Sequence, residues 1–174
     1  MVIRQMQIHE TELIRQIDRS ETIGKIYAMQ DGRLQDIASG HECPTWNEAQ
    51  TAEMMERFSK MLRGGGIAYG AFDGDTLAGF GVLGHQFRGE NLDRLQVDLM
   101  YVSRSYRRQG IGSRIMEELS REAKERGASY LYISSTETES AVNFYMAGGG
   151  EITDQVDEEL FRLEPEDIHM LKKL

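Results

Sequence analysis

The sequence predicts a mixed α/β (α+β) fold in which helices cover a central sheet. Three observations predict it. Apolar or alternating runs flank Asp-Gly turns at 23–37 and again at 67–87, and these read as hairpins. Helix-period segments at 48–62 and 113–126 separate the strand signals. The stretch 95–118 switches period within itself. Leu95, Val97, Leu99 and Tyr101 alternate with Gln96, Asp98, Met100 and Val102. From Gly110 onward, Ile111, Ile115, Met116 and Leu119 fall at helical spacing. Strands and helices in this order form a sheet packed by helices.

Taken in order, 2–7 is a short first strand around Ile3. A helix opening near His9, Glu10 or Thr11 puts Leu13, Ile14 and Ile17 on one face. Segments 23–29 and 33–37 flank Asp31-Gly32, and 38–45 reads as a loop containing Gly40, His41, Cys43 and Pro44. Asn47 is a suitable N-cap for a helix over 48–62, whose stripe is Ala52, Met55, Phe58, Met61 and Leu62. Gly64-Gly65-Gly66 stops it. Strands at 67–72 and 77–87 bracket Asp73-Gly74-Asp75. The 113–126 helix closes at Gly127, and a strand follows at 130–134. Ala141, Val142, Phe144 and Tyr145 lead a helix that stops at Gly148-Gly149-Gly150. Late strands are expected at 151–153 and 160–163, and one or two helical turns at 167–174. With no repeat, low-complexity run or linker, one domain over 1–174 is expected.

Composition narrows the function classes. The 174 residues are 40% hydrophobic and 28% charged, the balance of a soluble globular chain. No apolar run is long enough to span a bilayer, and the N-terminus lacks the apolar centre of a signal peptide. Cys43 is the only cysteine, so a cytoplasmic address is expected. A net charge of −9 argues against a nucleic-acid binder and suits a cationic partner without requiring one. Four scattered histidines and one cysteine do not make a metal-ligand spacing, so no metal is expected.

The turn Arg107-Arg108-Gln109-Gly110-Ile111-Gly112 between strand and helix carries the chemistry. A helix start leaves backbone N–H groups unpaired and partly positive. Gly110 and Gly112 let an anion approach that backbone, and arginine donates to phosphate in pairs. The sum is a pyrophosphate cradle. The spacing matches neither G-x-x-x-x-G-K-S/T nor G-x-G-x-x-G.

RRQGIG resembles the R/Q-x-x-G-x-G/A signature of the GNAT superfamily of N-acetyltransferases. A second stretch resembles that family's N-x-x-A-x-x-F-Y…G-F signature: Ala141, Phe144, Tyr145 and Gly149 match, while Thr138 replaces Asn and Gly150 replaces Phe. The resemblance covers 67–163 well. It implies a central mixed, mostly antiparallel sheet flanked by helices, with 27–37 as an insertion. It also implies acetyl-CoA as co-substrate. The backbone of Met100, Tyr101 and Val102 would pair with the pantetheine arm. Arg107, Arg108, Gln109, Gly110, Ile111, Gly112 and Ser113 would hold the pyrophosphate, and Thr138 and Phe144 would add contacts to the cofactor. Tyr145 would protonate the leaving thiolate. The usual carboxylate position falls on Gln96, which cannot act as a base. Asp98 is the preferred substitute, with Glu90, Asp93 and His85 as alternatives.

The expected function is therefore acetyl transfer to a primary amine, on a small molecule or a protein, by direct attack in a ternary complex. A backbone N–H near Tyr101 or Met100 would stabilise the oxyanion. Acceptor selection would fall to 18–26, 41–46 and 88–93, with Trp46 lining the pocket or seating a helix. No nucleic acid or membrane partner is expected, and the family commonly forms homodimers. Two readings stand beside this one: transfer from a different acyl-CoA, and a non-catalytic CoA-binding sensor.

Overall fold

The structure, a computed structural model, describes Met1–Leu174. In chain order the elements are β1 (Val2–Met6), a 3₁₀ segment (Ile8–Gln16), β2 (Glu21–Gln30), β3 (Arg33–Cys43), α1 (Glu48–Arg63), β4 (Ile67–Asp73), β5 (Thr76–Leu83), β6 (Arg94–Val102), α2 (Ile111–Glu125), β7 (Tyr130–Ser135), α3 (Glu139–Ala147), β8 (Gly150–Ile152), α4 (Glu158–Leu163) and β9 (Ile168–Lys173). The chain divides into two units. One comprises Met1–Glu21, Cys43–His85 and Val97–Glu122. The other comprises Thr22–Glu42, Gln86–Gln96 and Ala123–Leu174. No helix is long and apolar enough to cross a membrane.

The first unit is built on antiparallel ladders in the order β1-β4-β5-β6. Asn47 caps α1 reciprocally: its Oδ1 accepts the Gln50 N–H at 2.9 Å and its N–H donates to Gln50 Oε1 at 3.0 Å. Phe58 on α1 is fully buried and joins Met6, Ile14, Ile17, Phe72, Leu77, Phe80, Val82 and Leu99 in one core. Burying a side chain such as Phe58 contributes about 1.5–3 kcal/mol. The expected first helix forms as the 3₁₀ segment, and it still buries Ile14. Gly81 on β5 leaves room for α2, since a Cβ there would sit 2.8 Å from Ile115 Cγ2 and 3.0 Å from Leu119 Cδ1. The β5 strand ends at Leu83, short of the expected 87.

In the second unit, β2 and β3 form the expected hairpin. Asp31 and Gly32 have φ of 50° and 72°, the paired positive values of a type I′ turn. Its arms are longer than the sequence suggests, and most of the expected 38–45 loop is strand. The strands β7-β9-β8 are antiparallel, with β9 in the middle. This corrects two expectations. The tail is a strand, not helical turns: Ile168–Lys173 pairs with β7 along its length and with β8 from Met170 to Lys172, and the consecutive burial of Ile168, His169 and Met170 shows no helical face. Residues 160–163 belong to α4 rather than a strand. Asp157 caps it by accepting the Leu160 N–H at 3.1 Å, and Leu160 is its buried anchor.

A buried polar chain ties α4 to this sheet. The Tyr132 hydroxyl accepts the Asp157 N–H at 2.8 Å and lies 2.7 Å from His169 Nδ1. The other ring nitrogen of His169, Nε2, is buried without a partner. Burial pushes the Tyr132 phenol up to about 12 and lowers His169 below its usual 6.5. The unfolded chain thus binds the histidine proton at a higher pH than the folded chain does. The stability from neutral His169 is complete above the unfolded pKa of 6.5 and declines as pH falls below it. The urea midpoint is expected to drop more steeply between about pH 7 and about pH 5 in the parent than in His169→Gln. Equal slopes would remove His169 from this account.

Candidate functional site

The loop between β6 and α2 begins with a 3₁₀ turn over Arg104–Tyr106. Two residues in it then take left-handed backbone conformations: Arg108 at φ 64° and Gly110 at φ 75°. For arginine such a conformation costs on the order of 1–3 kcal/mol and clusters at functional sites. For glycine it is free of steric cost. A Cβ built on Gly110 would meet no atom within 4 Å, so the space beside that backbone is open. Directly after it, Ile111 is buried and anchors the first turn of α2. The first N–H groups of α2 have no intrahelical acceptor, and they follow directly on this open, exposed turn. Arg108, Gln109, Gly110 and Ser113 are exposed, and Gly112 is half-buried.

Arg107 does something the sequence did not reveal. Its Nε donates to the Val102 carbonyl at 3.0 Å and its Nη2 donates to the Arg19 carbonyl at 3.0 Å. Its backbone N–H closes the 3₁₀ turn onto the Arg104 carbonyl at 3.4 Å. The guanidinium thus latches the end of β6 to the segment before β2, and Arg108 is left as the exposed cation of the pair. The same segment is tied further by Asp18, whose N–H donates to Ser103 Oγ at 2.9 Å and whose carbonyl accepts the Arg104 N–H at 2.8 Å. Hydrogen bonds from Ser20 hold the Asp18 carboxyl below the usual carboxylate range.

At the end of β6, Met100, Tyr101 and Val102 pair with Gly81, Phe80 and Gly79 of β5. Tyr101 turns its ring into the first unit's core, edge-on to Trp46 at 4.8 Å and 5.9 Å from Phe80. Trp46 is thereby seated against that core. Gly79 must be glycine, because a Cβ would lie 2.9 Å from the Tyr101 carbonyl oxygen.

The period-two pattern breaks at Asp98. Val82 pairs with Leu99 and Leu83 with Val97, so Asp98 is the extra residue of a β-bulge. Bulges re-aim a side chain and are frequent beside active sites. Here the carboxylate meets Arg57 of α1. Arg57 Nε donates to Oδ2 at 3.1 Å, Nη2 donates to Oδ1 at 2.9 Å, and Nη2 also reaches the Asp98 carbonyl at 3.3 Å. Nothing local in the sequence points to Arg57, which lies 41 positions away.

The other predicted site residues lie in the second unit. Thr138 caps α3, its Oγ1 accepting the Ala141 N–H at 3.4 Å. Phe144 and Tyr145 stand edge to face with ring centroids 5.1 Å apart, both half-buried. Gly150, which departs from the family signature, opens β8. A Cβ there would sit 2.9 Å from the Tyr145 carbonyl oxygen, so the close approach of α3 to β8 requires glycine. Of the alternative bases, His85 and Glu90 are exposed. Asp93 lies 3.4 Å from Arg94 Nε, and its carbonyl accepts the Ser129 and Tyr130 N–H groups.

Solved structures of similar fold include nourseothricin acetyltransferase, 20% identical over 99% of this chain and 97% of the other, with a TM-score of 0.72. A candidate streptothricin acetyltransferase from Bacillus anthracis str. Ames, in complex with acetyl coenzyme A, is 19% identical over 99% and 98%, with a TM-score of 0.73. The PaiA N-acetyltransferase from Thermoplasma acidophilum, in complex with coenzyme A, is 18% identical over 99% and 98%, with a TM-score of 0.65. No curated protein matches the sequence. The family described as acetyltransferase (GNAT) matches residues 33–148. With two-thirds of its length inside that match, and with a glycine loop joining strand to helix, this chain belongs to the GNAT acetyltransferase family.

Proposed function

We propose that the protein transfers an acetyl group from acetyl-CoA to a primary amine, directly and without a covalent enzyme intermediate. The observation that carries this is the β6–α2 loop, with its left-handed Arg108 and Gly110 and the open space beside Gly110 where α2 begins. Such a loop suits a pyrophosphate. The acetyl-CoA and CoA complexes among the similar structures support the same co-substrate, and one of those proteins is named an N-acetyltransferase.

Bound acetyl-CoA supplies the acetyl group as a thioester. In our reading Arg108, Gln109, Gly110, Ile111, Gly112 and Ser113 bind the pyrophosphate, with Arg107 holding the loop in place. The backbone of Met100, Tyr101 and Val102 aligns the pantetheine arm, and Thr138 and Phe144 add contacts. Asp98, directly or through a water, takes one proton from the acceptor ammonium. The amine nitrogen then bonds to the acetyl carbon as the carbon–sulfur bond breaks, with a β6 N–H at Met100 or Tyr101 stabilising the oxygen. Tyr145 gives a proton to the departing thiolate and is restored by the second proton leaving the nitrogen. The net yield is an amide, a free thiol and one proton.

All of 1–174 acts as one catalytic domain in this reading, supported by the 99% coverage of the similar structures. A reducing, cytoplasmic setting is compatible with the single cysteine, and a homodimer follows the family resemblance. The test is release of CoA thiol with acetyl-CoA and a panel of primary amines. Amine-dependent release is the expected result. Acetyl-CoA binding with no turnover on any amine would favour the sensor reading.

A further inference from the structure

We infer that Arg57 selects the acceptor, and that the acceptor carries an anionic group, most simply a carboxylate, near its reacting amine. The inference rests on the acetyl-transfer reading above. Its basis is the asymmetry of the Arg57–Asp98 pair. The Asp98 side chain is only 8% exposed, whereas that of Arg57 is 48% exposed. Both carboxylate oxygens of Asp98 are taken by the guanidinium fork, at 3.1 and 2.9 Å. While that fork is closed, one lone pair on each oxygen is engaged, and the enclosure of the side chain restricts approach to the others.

The two partners lose different things if the pair opens. Arg57, with about half of its side chain exposed, keeps access to water when it moves away from Asp98. Asp98, held at a bulge and almost enclosed, cannot lose its cation without becoming an uncompensated charge. Whatever displaces Arg57 must therefore bring a cation of its own. An acceptor ammonium does so, and it is also the group whose proton must be removed. A carboxylate on the same acceptor then gives the released guanidinium a planar, bidentate partner. An acceptor with both groups replaces one ion pair by two and frees the Asp98 oxygens for proton transfer. A diamine instead sets its second ammonium against the permanent charge of Arg57. Repulsion at about 4 Å near a protein surface disfavours it by about tenfold or more.

The test compares matched acceptors by kcat/KM: leucine with 3-methylbutylamine, γ-aminobutyrate with propylamine, and ornithine with putrescine. The carboxylate-bearing member of at least one pair is expected to be favoured by about tenfold or more. Arg57→Leu is expected to abolish the preference. Arg57→Lys, which keeps the charge but not the fork, is expected to reduce it at least about threefold, and it decides the matter if Arg57→Leu does not fold. Equal or better rates with every plain amine would overturn the inference, as would a preference unchanged in both variants. In either case turnover itself would keep the transfer reading intact. No turnover with any acceptor would overturn both together.

Discussion

Acetyl-CoA at about a hundred times its dissociation constant is expected to raise the unfolding midpoint of the parent by about 5–10 °C, and Gly110→Val is expected to abolish that rise. Saturation to this degree stabilises the folded state by about 2.7 kcal/mol, and each kcal/mol moves the midpoint of a chain this size by about 2–4 °C. Gly110 sits at φ 75°, a conformation a β-branched residue does not tolerate. Its side-chain direction is empty, so valine would also place methyl groups in the space proposed for the anion. Strain alone could lower the midpoint without touching binding, and Gly32→Val separates the two effects. Gly32 has φ 72° and equally open surroundings at the hairpin turn. That variant is expected to melt lower yet keep the full ligand-induced rise. A rise preserved in Gly110→Val would show that the loop does not hold the co-substrate.

Tyr145→Phe is expected to lower kcat by about a hundredfold while changing KM for acetyl-CoA by less than about threefold. The substitution removes one hydroxyl and keeps the ring that stands 5.1 Å from Phe144, so the shape of that α3 face survives. A thiolate leaving group has a pKa near 8.5 and a phenol near 10, so the proton moves readily only when the site assists it. The loss should therefore appear in the chemical step rather than in binding. Steady-state kinetics on a well-used amine reads both constants, and a change in kcat below about threefold would assign Tyr145 to packing alone.

The turns, caps and periods were legible because their causes lie within a few residues of one another. Asp31-Gly32 adopts the positive φ pair that its composition favours, and Asn47 and Gln50 cap each other across three positions. The strand, glycine loop and helix from β6 to α2 follow the period switch in the sequence. The proposed anion cradle rests on the same locality, since its N–H groups belong to consecutive residues. The tail was not legible. Ile168, His169 and Met170 are buried in succession on a strand flanked by β7 and, from Met170 onward, by β8, and burial on both faces erases the alternation that marks a strand. Nor could the sequence foresee that Arg107 would spend its guanidinium on the carbonyls of Val102 and Arg19. The bulge at Asp98 and the grip of Arg57 on its carboxylate were hidden for the same reason. Sequence alone determined the family and, through short-range backbone preference, the element order over most of the chain and the place of the glycine loop. Tertiary structure decided which charged side chains stay exposed and which are held by the protein, because that choice depends on partners brought together only when distant segments pack.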